Sequence, residues 1–447
     1  MGINRNVTII FLANAFTLLS GVITSLLTAW ALGPEGRGDL AVVVLWPNVV
    51  ALAVGLGLPH AHRYFLAREP DGASSLFSNA LIFALGMGAL AWGAAEIFVP
   101  SLVGNRSEAV MWIVHIYLFN IPLALLYDLM AGLLEGARQF RFAALARIIF
   151  FATQSVAYLA LWLTGHLNVD SAAFTMMGAQ VANTLTAVIA VTYVLKPRWS
   201  PSIAMFKKTI GYGLKNHLGV VTSFTTLRLD QLMLGGMASS VEIGLYYVAV
   251  RLSEITTVLA SSLADVLMPE VAASTERGKS VQLLTRSLRQ TIFVYLLVLV
   301  PLQIVGPLIL RFAYGPDFIA ASSTLRLLLV ASMLWSAGTV VISGLNGLGY
   351  PGMSTIARLS SAIITVITLL YWLPRKGIVG AAMSSLAGYG VMFGVALFWL
   401  VRSEGISLGS CLRPQADDIP LERLKSFVRN RFGSYFLPAG SKSVTSE

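Results

Sequence analysis

Cysteine is nearly missing from this chain: Cys411 stands alone among 447 residues. That excludes both a disulfide framework and a cysteine metal site. Charge is scarce too, at 12% of residues, against roughly 25% in a soluble globular domain. Of five histidines only His60 and His62 lie close together, and an i, i+2 pair falls on different helix faces. No Gly-rich loop ends in a Lys-Ser/Thr pair, so ATP hydrolysis is not expected of this chain. GPEGRG at 33–38 joins two apolar runs and reads as a tight turn rather than a phosphate loop. Neither a cofactor, a metal nor an enzymatic activity is expected.

Apolar residues fill the space that charge leaves. They make up 56% of the chain, the mean hydropathy is +0.75, and runs of about 20 residues recur, each enough for a ~30 Å hydrocarbon core. The first run is too long for a cleaved leader and reads as a retained helix. With Gly, Pro and charge clusters as punctuation, twelve spans emerge, near 8–32, 40–59, 76–99, 110–135, 142–164, 172–195, 210–235, 244–268, 290–311, 318–345, 354–373 and 378–402. Their loops are asymmetric: twenty Lys and Arg fall on the side of the N-terminus and five on the other, among them Arg37 and Arg106. By the positive-inside rule both termini are cytoplasmic. The net charge of +10 thus reports topology, and nucleic acid is not a partner. In the tail, LERLKSFVRNRF sets Leu421, Leu424, Phe427, Val428 and Phe432 on one face, as an interfacial helix on anionic lipid does.

The chain also repeats itself. Asn14 falls on Asn216 and Leu32-Gly33 on Leu234-Gly235 at an offset of 202; Gly38 falls on Gly244 at 206. Gly136 meets Gly347, and Ala146-Arg147-Ile148 meets Ala357-Arg358-Leu359, at 211; Ala172-Ala173 meets Ala381-Ala382 at 209. Six helices repeated in one direction keep one orientation, which relates two lobes by an axis along the membrane normal. The expectation is an all-α polytopic membrane protein of twelve transmembrane helices, in two pseudo-symmetric six-helix lobes around a central cavity. Residues 1–200 form the first lobe and a linker rich in Pro and Lys, 201–402 the second lobe, and 403–447 a cytoplasmic tail.

Charges at membrane depth are costly, about 2.5–3.5 kcal/mol each on insertion scales, and call for a cavity or a partner. Glu96 and Glu135 lie near helix ends. Arg147 and Arg358 sit a turn inside the cytoplasmic boundary, where they either snorkel or form two symmetric cations at an inner mouth. Asp128 lies deeper in the fourth span, and Arg326 about two turns into the tenth. The hairpin of the seventh and eighth spans is richest, with Lys215, His217, Arg228, Asp230, Arg251 and Glu254. Arg228 lies seven residues before Gly235 and Arg251 seven after Gly244, so both sit roughly 10 Å below the outer boundary. Two readings stay open: an ion-pair lock such as Arg228 with Glu254, or a polar wall facing a charged ligand. The excess of cations favours an anionic ligand, since Arg holds phosphate bidentately. Asn14 and Asn216 either bond across the lobes or line the cavity.

LTAWALGPEGRGDLAVVVLW, then GLGLPHAHRYFLAR, then LNGLGYPG between the tenth and eleventh spans make residues 1 to about 402 resemble the polysaccharide exporter branch of the multidrug/oligosaccharidyl-lipid/polysaccharide superfamily. The resemblance implies an alternating-access flippase. It would move a polyprenyl-diphosphate-linked oligosaccharide from the inner to the outer leaflet of a bacterial cytoplasmic membrane. An H+ or Na+ gradient and glycan-assembly proteins would be its partners, beside the membrane lipids. Cavity cations typify that branch; the candidates here are Lys215, Arg228, Arg251, Arg326, Arg147 and Arg358, with Asn14 and Asn216. Asp230, Glu254, Asp128 and His217 are candidates for coupling or ion pairing. A multidrug cation antiporter of the same superfamily would use those acids instead. A membrane-embedded glycan polymerase or ligase would need a large outer loop, and none exceeds about ten residues. The two extra helices typical of a lipid II flippase are not found. These features together place the ligand-binding charge mainly in the second lobe.

Overall fold

The computed structural model describes residues 3–104, 106–274, 276–413 and 415; the tail helix expected around 421–432 lies outside them. Helix dominates, and there is no strand among the described residues.

Twelve spans are present. Ile3–Val54 is two helices, α1 and α2, folded about Gly33 (φ 62, ψ −172). A positive φ suits glycine, so one residue makes the whole turn and Pro34 restarts the helix at once. That is why α2 begins earlier than its charge pattern suggests: Glu35, Arg37 and Asp39 already lie inside it. It breaks after Val54 and resumes as Leu58–Arg68. Then come α3 (Ala73–Leu102), α4 (Glu108–Leu118 with Asn120–Gly136), α5 (Phe140–Leu163) and α6 (Val169–Leu195). The second lobe runs α7 (Ile203–Met237), α8 (Ser240–Ala273), α9 (Arg277–Ile309) and α10 (Ser322–Gly347). Pro351–Glu404 is again two helices, α11 and α12, folded about Gly377 (φ 52), and the short α13 (Leu408–Leu412) follows.

Local chemistry starts several of these helices. Ser239 caps α8 and Glu242 reaches back to it, and Asn168 with Ser171 does the same for α6, each pair satisfying two orphan donors. The stretch between α6 and α7 is held along α3. Arg198 N bonds Ser74 Oγ at 3.0 Å, Ser200 N bonds Ser78 Oγ at 2.9 Å, and Asn79 exchanges hydrogen bonds with the backbone of Ser202.

The repeat is visible as packing. A Cβ on Gly136 of α4 would meet Arg63 O at 2.9 Å and the Leu66 side chain at 3.1 Å. A Cβ on Gly347 of α10 would meet Met268 O at 2.7 Å and Val271 at 2.9 Å. Arg63 and Leu66 correspond to Met268 and Val271 at one offset in sequence, so α4 crosses α2 as α10 crosses α8. Glycine is needed at both crossings because the backbones nearly touch.

Call the end bearing Gly33 and the α7–α8 turn distal, and the end bearing the 196–202 linker proximal. Distally the lobes share one apolar core, in which Leu27, Val43 and Tyr117 pack with Leu234, Tyr246, Leu310 and Leu369. Proximally each lobe has its own, around Leu76 and Leu133 in the first and around Leu284 and Leu345 in the second. The lobes also meet proximally, where a Cβ on Gly57 would overlap the Gly213 carbonyl and the Tyr64 ring stacks on Tyr212 at 4.6 Å, and the cavity lies between these two levels of contact.

Candidate functional site

The cavity has two chambers. The larger, about 580 Å³, lies against α7, α8 and α10, and includes Arg228, Asp230, Arg251 and Glu254 in its wall. The smaller, about 230 Å³, lies between α1, α2 and α5 and includes Arg37, Asn48, Gln154 and Tyr158. Gly21, Ser25, Phe151 and Arg251 line both, so the chambers are contiguous and Arg251 stands at their junction.

In the larger chamber the charges are paired. Arg228 Nη1 lies 2.9 Å from Glu254 Oε1, across α7 and α8, and Arg251 Nη1 lies 3.7 Å from Glu254 Oε2 on its own helix. One carboxylate thus serves two guanidinium groups. Asp230 is 3% exposed and has hydrogen bonds instead of an ion pair. It accepts from the Tyr246 hydroxyl, from Ser385 Oγ at 3.1 Å and from Gln231 N at 2.7 Å. These donors compensate a carboxylate that burial would otherwise penalise heavily.

The smaller chamber is organised by Arg37, which sequence placed in an outer loop. Because Gly33 turns the chain within one residue, Arg37 sits a full turn along α2 and folds back onto α1. It is 7% exposed; Nη1 donates to Thr28 Oγ1 at 2.6 Å and Nη2 to Ser25 Oγ at 3.2 Å. Its guanidinium carbon lies 5.3 Å from the Tyr247 ring centre, a cation–π contact. The signal was present: Thr17, Ser20, Gly21, Thr24, Ser25 and Thr28 recur at helical spacing, a small polar stripe on an apolar helix. Sequence reasoning missed Arg37 as a cavity residue; the second lobe's Arg228 and Arg251 share an acid, and Arg37 does not.

Distally the cavity is capped. A Cβ on Gly38 would overlap the Ser240 backbone, and one on Gly244 would overlap the Pro34 carbonyl. These contacts are related by the repeat, since 34 and 38 correspond to 240 and 244. Arg106, from the α3–α4 connection, completes the cap. It bonds Ser240 Oγ, Ala238 O at 2.9 Å and Gly235 O at 3.2 Å, and lies 3.8 Å from Asp39. Ser240 in turn donates to Asp39 at 2.5 Å. Sequence counted Arg106 only as a loop charge, because its partners are backbone carbonyls of the other lobe.

The remaining candidates are dispersed. Arg358 donates to Ser223 Oγ of α7 at 3.3 Å, and Arg147 lies beside Tyr127 of α4. Lys215, Arg326 and Asp128 are exposed, His217 is half-buried, and none of them lines either chamber. Leu328, Ser332 and Trp335 mark the cavity face of α10, and Arg326 is two residues, some 200° of helix, from that face. The side chains of Asn14 and Asn216 lie outside the described residues. Among the described residues no group of three His, Cys, Asp or Glu is placed to hold a metal.

Comparison with known proteins agrees with this architecture. The chain is 19% identical over 234 residues to the probable low-salt glycan biosynthesis flippase Agl15 of Haloferax volcanii, covering 52% of this chain and 49% of that one. It is 22% identical over 287 residues to an uncharacterized membrane protein, MJ1068, of Methanocaldococcus jannaschii, covering 60% and 55% respectively. The chain thus spans about half the length of these curated relatives. The fold is that of the lipid II flippase MurJ in an inward closed conformation, with a TM-score of 0.74 at 16% identity over 96% of this chain and 93% of that one. A family model described as polysaccharide biosynthesis protein matches residues 3–275. That match covers well over half of the sequence and all of the first lobe, so the chain belongs to the polysaccharide biosynthesis protein family.

Proposed function

We propose that this protein is a flippase that carries a polyprenyl-diphosphate-linked oligosaccharide from the cytoplasmic to the outer leaflet of the cell membrane. The observation that carries the reading is a cation-bearing cavity held between two six-helix lobes at mid-span. A buried cation is retained against its insertion cost where a ligand or partner uses it.

Both termini and the linker face the cytoplasm in this reading, following the excess of twenty Lys and Arg over five. The proximal end is then the cytoplasmic one, and the distal cap closes the cavity to the outside. The first lobe with its linker takes residues 1–200 and the second 201–402. Arg358 and Arg147 flank the cytoplasmic mouth and admit the diphosphate. Arg228 and Arg251 receive it, and Glu254 holds both guanidinium groups in place before it arrives. Release to the outside requires the Gly38–Ser240 and Gly244–Pro34 contacts to part as the lobes rock.

Asp230 is the coupling candidate. Asp230 borders the larger chamber, and its carboxylate has hydroxyl and backbone donors rather than a salt bridge, so a proton or Na+ can bind it without first breaking an ion pair. A cation antiporter is the second reading, because Asp230 and Glu254 line the same chamber. Among the described residues, three arginines around the joined chambers against two carboxylates favour an anion.

The test is flipping of a fluorescent polyprenyl-diphosphate glycan in proteoliposomes. Arg251→Ala and Arg228→Ala should each abolish it while the protein still inserts. Wild-type rates in both variants would remove the cavity assignment. Transport of lipophilic cations by the wild type, with no glycan flipping, would establish the antiporter.

A further inference from the structure

Arg37 stands apart from the acid that the other cavity cations share. Among the described residues it forms no ion pair, and its Nε is buried without any hydrogen bond from the protein. Thr28 and Ser25 take its other donors, but hydroxyls solvate a cation without neutralising it. Among the described residues no carboxylate appears in the wall of the smaller chamber, where Arg37 and Arg251 are the charged groups. The rest of that wall has a definite chemistry. Asn48 and the Gln154 carbonyl offer amide groups, Tyr158 is bonded to Gln154 and to Ala172 O behind them, and Phe150, Phe151 and Tyr247 offer ring faces. Hydrogen-bonding groups set among aromatic faces suit a sugar, whose rim is hydroxyl and whose ring faces are C–H.

We propose that the first-lobe chamber is a recognition subsite for a carboxylate-bearing monosaccharide, with Arg37 binding its carboxylate. The charge balance selects the ligand. A single uncompensated guanidinium is answered by one negative group, and a planar guanidinium matches the geometry of a carboxylate. The position agrees. Arg251 lies at the junction, so a diphosphate held by Arg228 and Arg251 leaves the attached sugars facing Arg37. At about 230 Å³ the chamber is the size of a sugar ring rather than of an oligosaccharide. That an oligosaccharide enters at all rests on the flippase reading; that an anion is bound at Arg37 does not.

The experiment uses the full chain in lipid nanodiscs and follows thermal unfolding with D-glucuronate, D-glucose or inorganic pyrophosphate at matched ionic strength. Glucuronate should stabilise the wild type more than glucose does. Arg37→Gln should weaken the glucuronate response about tenfold or more, the worth of one lost hydrogen bond between charged groups, and leave the pyrophosphate response intact. Arg37→Lys should recover part of it, which also covers the case in which the glutamine variant fails to fold. Arg228→Ala should do the reverse, losing pyrophosphate and keeping glucuronate. Equal responses of the wild type to glucuronate and glucose would overturn the subsite. So would an Arg37→Gln variant that loses pyrophosphate instead, because Arg37 would then belong to the diphosphate site and the flippase reading would survive. A wild type stabilised by glucuronate and indifferent to pyrophosphate would support the subsite and count against a diphosphate-linked substrate.

Discussion

The two lobes are copies where they touch and strangers where they line the cavity. At the distal cap Gly38 meets Ser240 as Gly244 meets Pro34, and Gly136 and Gly347 sit at matching helix crossings. In the chambers the likeness ends: the second lobe holds Arg228 and Arg251 around Glu254, whereas the first holds Arg37 among hydroxyls and rings. Backbone contacts preserve a duplication because any side chain larger than hydrogen disrupts them. Cavity walls carry no such constraint, and their chemistry is free to specialise. The lesson is that a symmetric frame can present an asymmetric ligand with two different surfaces.

The largest expected effect comes from breaking the symmetric part. Gly38→Val and Gly244→Val each drive a side chain into backbone of the other lobe, and overpacking of this kind costs about 1–3 kcal/mol. Both should open the distal end to a similar degree, shifting its population roughly tenfold or more. Labelling of Thr24→Cys by an impermeant maleimide added outside measures the shift. Strong labelling in one variant alone would mean that the cap is not symmetric in energy.

Removing the shared acid should come next. Glu254→Gln leaves Arg228 and Arg251 facing each other without their carboxylate. Since the Arg228 and Glu254 side chains are 33% and 28% exposed and that of Arg251 is 44% exposed, the usual cost of breaking a buried pair falls to about 1–2 kcal/mol. The double variant Arg228→Glu, Glu254→Arg should recover most of the thermal stability that either change loses. Failure to recover any of it would show that Arg251, rather than the α7–α8 pair, sets the geometry.

The opposite sign is expected in the first lobe. Arg37→Met replaces an uncompensated cation with an apolar chain of similar length and should raise stability by about 1 kcal/mol, with loss of the glucuronate response. Calorimetry that finds Arg37→Met less stable than wild type would reveal a counter-charge for Arg37. Stabilisation by loss of a cation in one lobe, and destabilisation by loss of an acid in the other, is the sharpest form of the contrast.

The smallest effect concerns α13, at the proximal end of the second lobe. Cys411 is fully buried against that lobe's own core, and burial pushes its thiol above the ordinary value. Alkylation near pH 8 should therefore be slower than for a free thiol, and should become fast on unfolding. Rapid labelling of the folded protein would mean that α13 detaches.

The twelve spans followed from the sequence because apolar length is set by the thickness of the hydrocarbon core, which every span must match. The repeat was legible too, because close helix crossings demand glycine and so leave a fixed offset. The Arg228–Glu254 pair was within reach for a related reason: a short turn fixes equal depth on two adjacent helices. Arg37 and Arg106 were not. Whether Arg37 lies outside or within depends on the dihedral angles of one residue, Gly33, and the partners of Arg106 are carbonyls that every residue has.

Sequence by itself determined a duplicated twelve-helix membrane protein with charge at mid-depth, because length, periodicity and offset are properties of a line. Only the tertiary structure decided which charges are neutralised and which remain free. Neutralisation depends on distances of a few ångströms between helices, and those distances arise from packing that no single segment encodes.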